Sequence, residues 1–149
     1  MYGHVLIGPQ AKTETVDAGR RISAPGVECI EKALEDDGWL QVARLSPKEK
    51  STAHSIVSKG RLDAGEAESL ALANSRKLAV ILDDRAARSF AEVMGITFLG
   101  TAGMLFLAFA KKCLTLGELE DAVEALSQTI WLAPAVVADI FKKAREANR

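Results

Sequence analysis

The hydrophobic positions change their spacing several times along the chain, and each change predicts a new element. The apolar run His4–Ile7 predicts a strand, and Gly8-Pro9 predicts a turn that leads into a helix over residues 10–19. The later patterns predict helices over 26–36, 46–60, 64–77, 85–94, 102–112, 115–129 and from Pro134 onward, with strands over 39–45, 78–82 and 96–99. Strands that alternate with helices predict an α/β fold with a mostly parallel sheet covered by helices on both faces.

The run Leu78–Leu82 is continuously apolar, which predicts a strand buried on both faces. Spacings typical of a capping box begin at Ser46 and Thr115, and each predicts the start of a helix. A chain of 149 residues fits one domain. We therefore expect a single domain over 1–149, with a C-terminal helical hairpin over about 115–147.

Composition and charge narrow the class of protein. Hydrophobic residues make up 48% and charged residues 26%, which excludes a disordered, collagen-like or disulfide-based chain. The net charge of −1 provides no global positive field, so binding of nucleic acid would need a local patch or a metal ion. The apolar stretch Ile96–Ala110 is shorter than the ~20 residues of a membrane span, and the first residues lack the pattern of a signal peptide, so we expect neither feature. We expect a soluble, cytoplasmic protein with no membrane partner.

Acidic side chains follow the predicted strands at the points where ligands bind in α/β sheets. Asp83 and Asp84 end the strand over 78–82, and Glu14 lies about one turn into the helix after Pro9. Thr101 follows the strand over 96–99, where it either caps the next helix or lies at the edge of the site. Adjacent carboxylates suit a hard divalent cation such as Mg²⁺, which prefers oxygen ligands.

Each of these polar residues also has a purely structural interpretation. Asp84 has the position of an N-cap for the helix that starts at Arg85. Glu66 stands three residues after Asp63 and could close a capping box, yet it also lies on a largely apolar helix where a carboxylate needs a partner. Arg85 and Arg88 could hold phosphates at the edge of the site or pair with carboxylates.

The segment Leu62–Ala73, with the sequence LDAGEAESLALA, resembles the GEAE-x-x-A-L-A helix of a branch of the PIN-domain family. That branch consists of short prokaryotic proteins. The resemblance continues in order and spacing through residues 82–88, 91–96 and 100–103. Residues 4–16 resemble the strand–Pro–helix segment of the family more weakly.

PIN domains are α/β folds, and many are Mg²⁺- or Mn²⁺-dependent ribonucleases, including VapC-type toxins. The resemblance implies that Glu14, Glu66 and Asp84 are catalytic acids that bind Mg²⁺ or Mn²⁺, with Asp83 adjoining them. It also implies RNA as the substrate and an antitoxin-like protein as a partner.

The resemblance has one departure. PIN domains begin with a strand that ends in Asp, before the segment similar to His4–Ile7, and this chain starts at that segment. We therefore expect an N-terminally truncated PIN-like domain with little or no nuclease activity, because metal ligands act as a unit. The alternative is a non-catalytic protein or nucleic-acid interaction module of a toxin–antitoxin-type pair. A receiver-like module is disfavoured, because no Lys follows the last predicted strand.

The chain is also expected to form homo-oligomers. The helix over 102–112 carries more bulky apolar residues than one buried face needs, namely Met104, Leu105, Phe106, Leu107 and Phe109. Light scattering at micromolar concentration should give a mass above that of one chain, and a monomeric mass would contradict this expectation.

Overall fold

The computed structural model of the chain describes residues 3–35, 38–60, 62–129 and 132–147, which group into two compact units. One unit comprises the described residues up to Phe98, and the other comprises those from Leu99 onward. The first unit alternates strands with helices, and the second is formed by helices. The chain therefore has the α/β class that its pattern of elements predicts.

The elements of the first unit are short. They are β1 (Val5–Ile7), α1 (Pro9–Lys12), a π-helical turn (Thr13–Asp17), α2 (Ala18–Arg21), α3 (Val27–Leu34), β2 (Leu40–Val42), α4 (Pro47–Lys59), α5 (Ala64–Arg76), β3 (Val80–Ile81) and α6 (Arg85–Val93). Strand β4 (Phe98–Leu99) follows at the boundary, and the second unit contains α7 (Thr101–Ala110), α8 (Leu116–Thr129) and α9 (Pro134–Ala147). Position 36 of the predicted helix over 26–36 lies outside the described residues.

Two small sheets replace the larger one that the sequence predicts. Strands β1 and β2 are parallel, with Val5 opposite Leu40, and strands β3 and β4 form the other pair. The prediction that the strand over 78–82 is buried on both faces is wrong. Val80 is buried, but Ile81 is 46% exposed. An apolar run shows which side chains avoid water on average, whereas the number of covered faces depends on neighbouring elements.

Two predicted helix ends are also corrected. Gly19 does not end the first helix, which continues to Arg21. This glycine is a packing position, because a Cβ on it would lie 2.7 Å from Val27 Cγ2. Thr101 is not an N-cap, because Gly100 takes that position and Thr101 is the first helical residue. The packing role of Gly19 depends on a residue eight positions away, which its local sequence does not reveal.

Helix α5 occupies the centre of the first unit. Its residues Ala67, Leu70 and Ala71 are at most 1% exposed. They belong to a core that also contains Ala53, Ile56, Leu62, Ala73, Val80, Leu82, Ala87, Ala91 and Ile96. A second small cluster joins Leu72 of α5 to Ala43, Leu45 and Leu6. Helix α5 thus packs against residues near β3 and β4, and through Leu72 against residues near β1 and β2.

A buried ion pair links α4 to α5. Glu49 is 3% exposed, and both its carboxylate oxygens accept hydrogen bonds from Arg76, at 2.8 and 3.1 Å. Glu49 also accepts the backbone N–H of Ser46, so the predicted capping box is present. The sequence predicts a surface helix here, but the Arg76 guanidinium allows this face of α4 to be buried.

The second unit has its own core. Leu119, Val123 and Ala144 are fully buried, and they pack with Ala102, Phe109, Ile140, Leu105, Phe106, Val137 and Phe141. The predicted capping box of Thr115 and Glu118 is present at the start of α8. None of the helices in the described segments combines the length and apolar character that crossing a bilayer requires.

Stability should fall in acid through the Glu49–Arg76 pair. The Arg76 hydrogen bonds lower the pKa of Glu49 from 4.5 to about 2, with further help from the backbone N–H of Ser46. Because the folded pKa lies below the unfolded one, this contribution is full above about pH 4.5 and is lost toward pH 2. Urea denaturation should show that Glu49→Gln weakens this acid dependence, whereas Glu124→Gln, at an exposed position, should preserve it. Equal pH dependence in wild type and Glu49→Gln would contradict this assignment.

Candidate functional site

An open cleft of about 320 Å³ lies in the first unit, and its lining is rich in carboxylates. All four acids predicted for a site line it, namely Glu14, Glu66, Asp83 and Asp84. The remaining lining residues are Ala11, Asp63, Gly65, Ser69, Ile81 and Leu82. The structure thus brings the predicted acids to one place, while their chemical role stays a prediction.

Three separate segments supply these carboxylates. The N-terminal helix carries Glu14 on its π-helical turn, the start of α5 carries Asp63 and Glu66, and the loop after β3 carries the two aspartates. This arrangement follows the rule that the carboxyl ends of strands and the adjoining helices form the ligand-binding edge of an α/β sheet.

Asp84 has the capping function that its position predicts. Its Oδ1 accepts a hydrogen bond of 2.9 Å from the backbone N–H of Ala87 at the start of α6. A carboxylate has two oxygens and about four acceptor positions, so one capping bond uses only part of its capacity. Capping also fixes the direction in which the side chain leaves the backbone.

Arg88 holds the loop that carries the two aspartates. Its Nε donates to the carbonyl oxygen of Leu82 at 2.8 Å, and its Nη2 contacts Asp83 Oδ1 at 3.2 Å. The pairing alternative for this arginine is therefore the one observed. Arg85 is exposed on the first turn of α6 and is not among the residues that line the cleft.

Glu66 is partly buried in the cleft, close to other carboxylates. Its backbone N–H donates to Asp63 Oδ1 at 2.8 Å, and its own carboxylate accepts a long bond of 3.4 Å from Asp63 N–H. Burial raises the pKa of Glu66, and the charges of Asp63, Asp84 and Glu14 raise it further. Glu66 therefore closes the predicted capping box and also lines the cleft with the other acids, while a role in binding metal stays a prediction.

Glu14 approaches α5 at a glycine. A Cβ on Gly65 would lie 2.8 Å from Glu14 Oε2, so a larger residue at position 65 would displace this carboxylate. The other oxygen of Glu14 accepts a hydrogen bond of 2.9 Å from Gln10 Nε2. Gly65 and Gln10 were not predicted to take part, although the spacing of four residues places Gln10 and Glu14 on one helix face.

The cleft contains oxygen ligands that suit a hard cation, but the described residues do not place three of them close enough to form a metal site. Within residues 3–35, 38–60, 62–129 and 132–147, no three His, Cys, Asp or Glu side chains form a group that could hold a metal ion. The donors are nevertheless carboxylate oxygens, which Mg²⁺ and Mn²⁺ prefer. Burial raises the pKa of Glu66 most, and the neighbouring carboxylates raise it further; a bound cation would offset that second contribution.

Thr101, predicted at the edge of the site, is the first residue of α7 and is assigned to the second unit. Asp63 and Ser69 were not predicted to take part. Ser69 follows Glu66 by three residues on α5, and this helical spacing is a signal that could have identified it.

Two substitutions of Asp84 should separate its capping from its other properties. Asp84→Ala should destabilise the protein by about 1 kcal/mol, because the helix start loses its cap. Asp84→Asn should cost much less, because an asparagine oxygen also caps helices well. Chemical denaturation checks both values, and equal destabilisation by the two variants would contradict the capping assignment.

Comparison with known families assigns the fold independently. The model of the DUF3368 family, described as a PIN domain, matches residues 1–146. A search of curated proteins and a search of solved structures gave no match. PIN membership indicates a nuclease-like function directed at nucleic acid in general terms. Because the match covers nearly the whole sequence, the chain belongs to the PIN-domain family.

Proposed function

We propose that this PIN-domain protein is a metal-dependent endoribonuclease that acts through the acidic cleft. The observation that carries the proposal is that Glu14, Glu66, Asp83 and Asp84 come from three segments and line one cleft. Structural carboxylates are commonly satisfied one at a time by a nearby cation, as Glu49 is by Arg76. A group of acids that shares one cleft, with a member, Glu66, whose pKa is raised by burial and also by the other carboxylates, is more typical of a functional site.

Glu14, Glu66 and Asp84 are the residues that would hold Mg²⁺ or Mn²⁺. A bound divalent cation supplies positive charge for the scissile phosphate and lowers the pKa of a water molecule. The protein's own contribution is orientation. The Ala87 N–H fixes Asp84, and Arg88 fixes the loop through the Leu82 carbonyl.

The charge of the cleft makes binding of RNA depend on a cation. An RNA backbone carries one negative charge per phosphate, and the cleft is lined by five carboxylic residues, Glu14, Asp63, Glu66, Asp83 and Asp84. The net charge of −1 adds no long-range attraction. RNA should therefore occupy the cleft only when a divalent cation is present.

The same geometry predicts that metal binding and cleavage are weak. Asp84 and Glu66 each have one oxygen bonded to a backbone N–H, and no three ligating groups converge among the described residues. The acids would have to move together when the cation binds, which costs affinity. We expect slow turnover, in contrast to a site with its ligands already in place.

The test is an RNA binding and cleavage assay with matched variants. Mn²⁺ should promote binding of a fluorescent single-stranded RNA, measured by anisotropy, and a slow endonucleolytic cleavage on a gel. Asp84→Asn and Glu66→Gln keep side-chain size and should reduce both effects at least about tenfold. Glu118→Gln, in the capping box of α8, is the control and should behave as wild type.

Two outcomes would contradict the proposal. One is cleavage or binding that is equal in wild type, Asp84→Asn and Glu66→Gln. The other is RNA binding that needs no divalent cation and leads to no cleavage, which would favour the non-catalytic interaction module of a toxin–antitoxin-type pair. An antitoxin-like partner remains a proposal that rests on the family resemblance.

A further inference from the structure

Glu68, two residues after Glu66 on α5, makes a hydrogen bond to the N-terminal helix. It lies on α5 and is partly buried, and it is not among the residues that line the acidic cleft. Its Oε2 accepts a hydrogen bond of 2.8 Å from the backbone N–H of Gln10, which is 58 positions away in sequence. Glu68 therefore connects α5 to the first turn of the N-terminal helix.

This contact is possible because position 8 is a glycine, which has no side chain. Gly8 is the N-cap residue of α1 and has no side chain to accept the free N–H groups of the helix start. A Cβ at this position would lie 2.7 Å from Glu68 Oε2. The carboxylate of Glu68 thus takes the place of a capping side chain, and its negative charge suits a helix N-terminus.

Gln10 extends this connection to the acidic cleft. Its backbone N–H donates to Glu68, and its side-chain Nε2 donates to Glu14 Oε1 at 2.9 Å. The second oxygen of Glu14 lies close to α5 at Gly65, where a Cβ would be only 2.8 Å away. Glu14 is therefore held between Gln10 on one side and the backbone of α5 on the other.

The N-terminal helix needs such an anchor, because its regular first segment is short. Helix α1 spans four residues and passes directly into the π-helical turn that carries Glu14. Lys12 and Asp17 bridge the π-helical turn at 2.6 Å, but this pair fixes the turn to itself and not to α5.

We propose that Glu68 and Gln10 are positioning residues for Glu14. Glu68 fixes the start of α1 on α5, and Gln10 transmits this constraint to the carboxylate of Glu14 in the acidic cleft. The inference depends on the proposed function only for its metal-binding readout, because the hydrogen bonds themselves can be tested without a metal ion.

Four variants of the full chain separate positioning from general stability. Glu68→Ala removes the acceptor, Glu68→Gln retains an oxygen that can accept the Gln10 N–H, and Gln10→Ala removes only the side-chain bond to Glu14. The matched control is Glu118→Ala. It also removes a carboxylate that accepts a backbone N–H at a helix start at 2.8 Å, but from the capping box of α8.

The first readout is amide hydrogen exchange followed by NMR, with no metal ion present. Glu68→Ala should accelerate exchange of the Gln10 amide and shift the Glu14 amide resonance. Glu68→Gln should restore slow exchange, and Glu118→Ala should leave both signals unchanged. Gln10→Ala should shift the Glu14 resonance while it preserves the protection of the amide at position 10.

The second readout is the Mn²⁺ concentration that broadens the Gly65 amide signal to half its height. Loss of an outer hydrogen bond to a metal ligand typically costs about tenfold or more in metal affinity, so Gln10→Ala should raise this concentration by about that factor. Glu68→Ala acts through Gln10 and should raise it in the same direction by a smaller factor. Glu68→Gln should lie between wild type and Glu68→Ala, and Glu118→Ala should match wild type.

The two proposals fail in different ways. If Mn²⁺ does not broaden the Gly65 signal of wild type, the proposed function is contradicted, and positioning is then judged by the exchange data alone. Positioning is overturned if Glu68→Ala leaves the Gln10 and Glu14 amides unchanged. It is also overturned if wild type binds Mn²⁺ and Glu68→Ala binds it equally well, or if Glu118→Ala weakens binding to the same extent.

Discussion

The close packing of α5 against its neighbours is the constraint on which the rest of the first unit depends. Small residues such as Ala67 and Ala71 are almost completely buried, and Gly65 allows Glu14 to approach the helix backbone. This packing leaves Glu66 at the cleft, while Glu68 contacts the start of α1. A bulky residue in place of Ala67 or Ala71 would force the helices apart and would separate the carboxylates that now share one cleft.

Burial of carboxylates on α4 and α5 has an electrostatic cost that the structure offsets at Glu49 and Glu68 but not at Glu66. Glu49 is buried, and Arg76 lowers its pKa to about 2. Glu68 accepts the Gln10 N–H, so its charge stabilises a helix start. Glu66 is different, because burial and neighbouring carboxylates raise its pKa. The proposed function offers a reason for this arrangement, because ionisable groups with shifted pKa values are common at functional sites.

A residue of this protein can both cap a helix and line the acidic cleft. Asp84 binds the Ala87 N–H, and Glu66 closes a box with Asp63, yet both side chains line the acidic cleft. The helix starts therefore orient the same acids that the PIN family resemblance identifies. An alanine in place of Asp84 or Glu66 would therefore alter the stability of the protein as well as the charge of the cleft. Amide substitutions retain the hydrogen-bonding shape and remove the charge.

The sequence by itself determined the features that depend on neighbours three or four residues apart. It predicted the α/β class, the capping boxes at Ser46 and Thr115, the N-cap Asp84 and the PIN resemblance, because helix caps and short motifs are local. Only the tertiary structure decided that Ile81 is half exposed and that Gly19 serves packing. It also decided that Glu68 meets Gln10 and Glu49 meets Arg76, 58 and 27 positions apart. Such contacts depend on how helices pack in space, and no local pattern of residues records that geometry.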